Sequence, residues 1–190
     1  SPKAARRAEL YQLLKDLGAV IETAAAPSAE ALILVMFGIL VFGLLSALLW
    51  KYPTDLARGL VYPVSVFILI AVGAGSFNVY NNDNRLKQLP AKYLENKETF
   101  IEEEYQRFEG PNGVNYWWLP LNIAWTLCLI VGVALYFMKD GNYSKGAALG
   151  IIFLGFSGLL IDGFARERAE NYTKVLHLQK NEVNKANNLR

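Results

Sequence analysis

Asp162 is the residue in this sequence whose placement most suggests chemistry. It follows Leu159-Leu160-Ile161 near the end of an apolar stretch, where an isolated carboxylate is costly to bury. Such a group is either an ion or proton site, or part of an interfacial charge clamp that fixes the depth of its helix. Arg166 lies four residues on, a natural intrahelical partner. Arg168, Arg85 and Arg107 are further guanidinium groups that a helical bundle can bring near. The spacing favours the clamp, built from Asp162, Arg166 and Arg168.

Other reactive residue types offer less. His177 is the only histidine, so a haem held between two histidines is excluded within one chain, and a solvated or interhelical role is expected. Glu102-Glu103-Glu104 suggests a divalent-metal or partner surface, but consecutive helical positions cannot all face one ligand, which favours a solvated face. Cys128, the single cysteine, lies within an apolar stretch and has no partner for a disulfide or a Cys-rich metal site. There is no His-x-x-Glu-His arrangement, Walker loop, G-x-S-x-G elbow or Cys/His cluster. The sequence therefore predicts no catalytic, cofactor-binding or metal site and no bound cofactor. A net charge of only +2 gives no strongly basic face for nucleic acid.

The elements that position these residues are membrane spans. Residues 31–50, 60–77, 118–138 and 147–164 contain almost no ionisable side chain, within a chain that is 53% hydrophobic. At about 1.5 Å per residue each stretch matches a hydrocarbon core of about 30 Å. The few polar segments left could not cover four such helices in a soluble protein. The expected fold class is all-α: a polytopic membrane protein with four transmembrane helices in two hairpins and cytoplasmic amphipathic helices. No continuous apolar region occurs in residues 1–30, so the first span is expected to act as an uncleaved insertion signal.

Five segments follow. Residues 1–27 read as a cytoplasmic amphipathic helix, with Leu10, Leu13, Leu14, Leu17 and Ile21 at helical spacing and Arg6, Arg7, Gln12, Lys15 and Asp16 on other faces. That helix suits either the headgroup interface or packing against other cytoplasmic helices. Ala24–Pro27 is expected to break it, with Ser28 and Glu30 starting the next helix. Residues 28–79 form the first transmembrane hairpin. Residues 80–116 form a cytoplasmic helical connector, interrupted at Pro90 and stopped by Gly110-Pro111, with Leu94, Ile101, Tyr105 and Phe108 near one face. Tyr116, Trp117 and Trp118 mark the return to the membrane, and residues 117–165 form the second hairpin. Residues 166–190 form a cytoplasmic helical tail continuous with the fourth span, striped by Tyr172, Val175, Leu176, Gln179 and Val183.

Short connections at 51–59 and 139–146 force antiparallel neighbours. They carry a faint repeat: Lys51 and Lys139 open the two turns, and Arg58-Gly59 and Lys145-Gly146 close them, offset by 87 to 88 residues. Close helix approach is offered by Gly146, Gly150, Gly155 and Gly158 in the fourth span, Ala71 and Gly75 in the second, and Gly43 with Ala47 in the first. Intramolecular packing is favoured over a dimer face. The polar lining of the spans is thin for an ion route within one subunit.

The run Asp162-Gly163-Phe164-Ala165-Arg166-Glu167-Arg168-Ala169-Glu170-Asn171-Tyr172 resembles an Asp-x-Phe-Ala-x-x-Arg-Ala-x-x-Tyr element that follows the last span in a set of bacterial four-span membrane proteins. The resemblance implies a bacterial inner-membrane setting and draws attention to Asp162, Arg168 and Tyr172; it implies no activity. The leading expectation is a non-catalytic membrane subunit, an accessory component or homo-oligomeric scaffold. Its partners would be membrane lipid and either other membrane-protein subunits or further copies of itself. An oligomeric ion-conducting or membrane-permeabilising pore is the alternative, and a membrane enzyme comes third.

Orientation follows from lysine and arginine, which are retained on the cytoplasmic side of span ends. The N-terminal segment carries four, the connector five and the C-terminal segment six, against two in each short turn. Both termini are therefore expected inside. In a Cys128→Ser background, single cysteines at positions 96 and 180 should label from the cytoplasmic side, and those at 55 and 142 from the opposite side. Cytoplasmic labelling of position 142 alone would reverse the assignment.

Overall fold

The computed structural model describes the backbone of residues 2–188 and the side chains of residues 7–8, 11–25 and 31–185. It is all-α, with no strand among the described residues. In chain order the helices are α1 (Pro2–Lys51), α2 (Asp55–Leu69), a π-helical segment (Ile70–Ala74), α3 (Gly75–Glu95), α4 (Lys97–Glu109), a 3-10 turn (Val114–Trp117), α5 (Trp118–Met138) and α6 (Asn142–Asn188). Four helical segments are long and apolar enough to cross a membrane: Ala31–Lys51, Asp55–Glu95, Lys97–Met138 and Asn142–Lys185.

Two expected breaks do not occur. α1 continues through the position of Pro27. A proline there removes one backbone donor, four residues after Thr23. Close by, Asn82 Nδ2 donates to Ala24 O at 3.1 Å, so a side chain supports the backbone where the helical ladder is weakest. The side chains of Arg6, Leu10, Ser28 and Glu30, on which the reading of this region also drew, lie outside the described residues. α3 likewise runs through Pro90 to Glu95. The chain breaks instead at Asn96, which takes extended backbone angles and caps α4 by accepting from Thr99 N. That break resets the helical phase, so Leu94 is 53% exposed and Tyr93 is buried in its stead. Within residues 11–25 of α1 the buried positions are Asp16, Leu17, Val20 and Ala24, and Leu14 is exposed.

The chain divides into two compact units. The polar unit comprises residues 1–28, 81–116 and 166–190. Its core joins Leu17 and Val20 of α1, Leu89 and Tyr93 of α3, Phe100, Ile101 and Phe108 of α4, and Ala169, Tyr172 and Leu176 of α6. Tyr93 and Phe100 meet edge to face with centroids 5.4 Å apart.

The apolar unit comprises residues 29–80 and 117–165. Phe67 of α2 is buried at its centre, edge-on to Phe37 of α1 at 5.8 Å and to Phe153 of α6 at 5.0 Å. Small residues set the closest contacts. Gly59 of α2 lies against the backbone of Tyr143 and Ala147, and Gly146 of α6 lies against the backbone of Leu56. One turn further along, Gly150 packs on the Pro63 ring; a Cβ there would lie 2.9 Å from Pro63 Cβ. Gly75 packs on Ala31 and Val35 of α1, Gly38 on Ala71 and Val72, Gly132 on Ala148 and Ile152, and Gly155 on Trp125 and Leu129. Gly59, Gly132 and Gly38 were not singled out by the glycine spacing, and Gly43, which was, faces open space. The outer faces are apolar: Ile33, Met36 and Leu40 of α1 and Leu119, Ile123 and Leu127 of α5 are all exposed.

A methyl group at Gly59 or Gly146 would collide with a backbone carbonyl, which cannot swing aside as a side chain can. Gly59→Ala and Gly146→Ala should each cost about 1–3 kcal/mol of stability by overpacking. Gly43→Ala and Gly73→Ala, which meet open space, should leave stability unchanged or slightly raised. Thermal unfolding of detergent-solubilised protein measures all four.

Candidate functional site

The polar residues that could carry chemistry are gathered into linked groups within the polar unit. The principal group centres on Glu104 of α4, whose Oε2 accepts from Arg85 Nη2 of α3 and from the Tyr172 hydroxyl of α6 at 3.1 Å. Arg85 Nη2 also donates to the Tyr172 hydroxyl at 3.3 Å. Arg107 Nε lies 3.5 Å from the same carboxylate oxygen. Aromatic faces support the cations: the Arg107 guanidinium stands over the Phe108 ring at 4.7 Å and that of Arg85 over the Tyr172 ring at 5.8 Å. Burial, followed by the adjacent Glu104 carboxylate, pushes the Tyr172 hydroxyl above its usual range. The phenol therefore stays protonated and serves as a donor.

A second group ties α1 to α3, α4 and α6. Lys97 Nζ pairs with Asp16 Oδ2 at 2.5 Å, and Gln179 Nε2 donates to Asp16 O at 3.1 Å. The Tyr93 hydroxyl donates to Gln179 Oε1 at 3.2 Å, and Gln12 donates to the other Asp16 oxygen at 2.8 Å. Burial lowers the Lys97 ammonium pKa, but hydrogen bonds with Asp16 and Tyr93 outweigh it and the net shift is upward. Four stretches of chain, from residue 12 to residue 179, are thus joined by polar contacts of which most atoms are withdrawn from solvent.

The three adjacent glutamates separate as their helical positions require. Glu104 turns inward, Glu103 is exposed, and Glu102 pairs with Lys180 Nζ at 2.7 Å. The Glu102–Lys180 pair edges a shallow groove of about 400 Å³, also lined by Glu98, Ile101 and Val183. His177 packs edge-on to Tyr105 with centroids 5.1 Å apart. Among the described residues no group of three or more His, Cys, Asp or Glu side chains is placed to hold a metal ion. Cys128 is half-buried and free.

In the apolar unit, Asp162 Oδ2 accepts from the indole Nε1 of Trp125 at 2.7 Å. Gly158, one turn before Asp162, lies flat against that indole and makes room for it. Arg166, expected to clamp Asp162, engages Glu170 at 2.8 Å. Asp162 is already engaged by the Trp125 indole, and the longer Glu170 side chain reaches Arg166 on the exposed side of the helix. Arg85 and Arg107, candidate partners across the bundle, both converge on Glu104. Trp125 was missed in the sequence. Its signal is a tryptophan seven residues inside an apolar stretch rather than at its end, carrying an N–H that needs an acceptor.

No family model matches the sequence, and neither a curated protein nor a solved structure matches it.

These contacts rank the polar residues by consequence. Glu104→Gln leaves two guanidinium groups beside each other without their shared counter-charge, and should cost about 3 kcal/mol. Trp125→Phe strips the Asp162 carboxylate of its donor and should cost about 1–3 kcal/mol. Arg166→Gln breaks only an exposed pair and should cost under about 0.5 kcal/mol. An Arg166→Gln loss equal to that of Trp125→Phe in chemical unfolding would restore the clamp.

Proposed function

We propose that this protein is a non-catalytic integral membrane subunit, an accessory or scaffold component that assembles with other membrane proteins or with further copies of itself. The observation that carries the reading is how the polar side chains are used. Arg85, Glu104 and Tyr172, and Asp16, Lys97 and Gln179, are committed to one another across distant stretches of chain. Groups bound in this way hold a helical body together and leave little with which to bind and turn over a substrate. The exposed apolar faces of α1 and α5 suit lipid or partner helices.

In this reading the four spans form two hairpins, α1 with the α2–α3 helix and α5 with α6. Support comes from Gly75 and Gly38 on the first pair of helices and Gly132 and Gly155 on the second. The polar unit is cytoplasmic in this reading, which the lysine and arginine distribution supports. The resemblance of the Asp162–Tyr172 element to four-span bacterial proteins supports a bacterial inner-membrane setting. Asp162 then serves helix packing through Trp125.

Native mass spectrometry after gentle extraction tests this directly. A discrete homo-oligomer, or a complex with another membrane protein, is the expected result. A discrete monomer with no partner overturns it, and cation flux through purified protein in liposomes would replace it with a pore.

A further inference from the structure

Arg107 is the one member of the Glu104 group that forms an ion pair without a hydrogen bond. Its Nε stands 3.5 Å from Glu104 Oε2, and its guanidinium is otherwise held only by the Phe108 ring beneath it. None of its five N–H groups donates a hydrogen bond to the described residues. Its side chain is 41% exposed, so solvent reaches part of the group. Arg85 approaches the same oxygen from α3, with its own side chain a quarter exposed. Two guanidinium groups therefore converge on one carboxylate, and the group retains one uncompensated positive charge. Glu103, one turn before Arg107, is exposed and forms no ion pair with it.

An arginine fork stacked on an aromatic ring is held in one orientation, so little freedom remains to be lost when it binds an anion. Paired guanidinium groups with unused N–H donors match the oxygens of a phosphate, which they bind by short charge-assisted hydrogen bonds. Burial, and then the Arg85 charge, both disfavour the cationic form of Arg107; an anion beside the guanidinium favours that form and offsets both. We propose that Arg107 and Arg85 form a binding site for a phosphate-type oxyanion, with Glu104 and Tyr172 fixing Arg85 in place and Phe108 fixing Arg107. A phospholipid headgroup and a free phosphate present the same chemistry. With four lipid-length helices in the chain, headgroups are the more abundant source.

The experiment uses the full-length protein, delipidated in a neutral detergent. Its thermal unfolding is followed with added inorganic phosphate against chloride at equal ionic strength, and with phosphatidylglycerol against diacylglycerol of the same acyl chains. Native mass spectrometry counts bound lipid in parallel. A ligand that binds the folded protein raises its midpoint, and the rise grows with the logarithm of ligand concentration above Kd. Stabilisation by phosphatidylglycerol but not by diacylglycerol or phosphate identifies a headgroup; stabilisation by inorganic phosphate identifies a free anion. In either case Arg107→Gln should weaken binding at least tenfold, Arg107→Lys should weaken it less, and Arg58→Gln, in an exposed pair with Asp55, should leave it unchanged. Because Arg107 donates no hydrogen bond to the described residues, Arg107→Gln should elute and unfold as a native species in the absence of ligand. The proposal is overturned if wild-type protein responds to neither probe, or if Arg107→Gln and Arg107→Lys respond as wild type does.

Discussion

In the apolar unit, the contact on which the other packing depends is between two backbones. Gly59 of α2 rests on the carbonyl of Tyr143, and Gly146 of α6 rests on the carbonyl of Leu56. Lipid tails are as apolar as leucine, so helices in a bilayer gain little by hiding apolar surface from one another. They gain by approaching closely enough for dense van der Waals contact, and a glycine on each helix against the backbone of the other permits the closest approach. Gly150 on Pro63 carries the same crossing a further turn. With α2 and α6 fixed in this way, Phe67 is directed between Phe37 and Phe153. The crossing also joins the positions matched by the 87-residue offset: the glycine that closes one short turn lies against the helix that follows the other.

The polar unit solves a different problem. Its segments come from the beginning, middle and end of the chain, so each contact among them closes a long loop and must outweigh the entropy of doing so. Apolar burial around Tyr93, Phe100, Ile101 and Leu176 supplies the bulk attraction. The two polar groups supply register. A hydroxyl at Tyr172 fits between Arg85 and Glu104 only when α3, α4 and α6 are aligned along their length, and Gln179 meets both Tyr93 and the Asp16 carbonyl under a similar restriction.

The π-helical segment at Ile70–Ala74 belongs to the same logic of packing. It widens the helix by one residue per turn, which shifts the phase between α2 and α3. Ala71 within it is fully buried and meets Gly38, while Gly75 just after it meets Ala31 and Val35. Without that shift the face of α2 that meets α6 and the face of α3 that meets α1 would keep a different angular relation.

By itself the sequence determined the all-α class, the number and limits of the apolar stretches, the short turns and the unbroken run of α6, because these follow from local composition and from the lengths that hydrocarbon imposes. It also pointed to Asp162 and to the glycines of the fourth stretch, since a carboxylate or a missing side chain in apolar surroundings is conspicuous in one dimension. It misplaced the breaks at Pro27 and Pro90, because a proline removes only one backbone hydrogen bond and long helices with lateral support absorb the loss. Only the tertiary structure decided partners. Asp162 bonds to Trp125 and not to Arg166, Arg107 and Arg85 share Glu104, and Gly59 meets Tyr143 while Gly146 meets Leu56. Each of these depends on the rotation of one helix against another, and that angle is set by the summed packing of residues far apart in the chain, which no local spacing records.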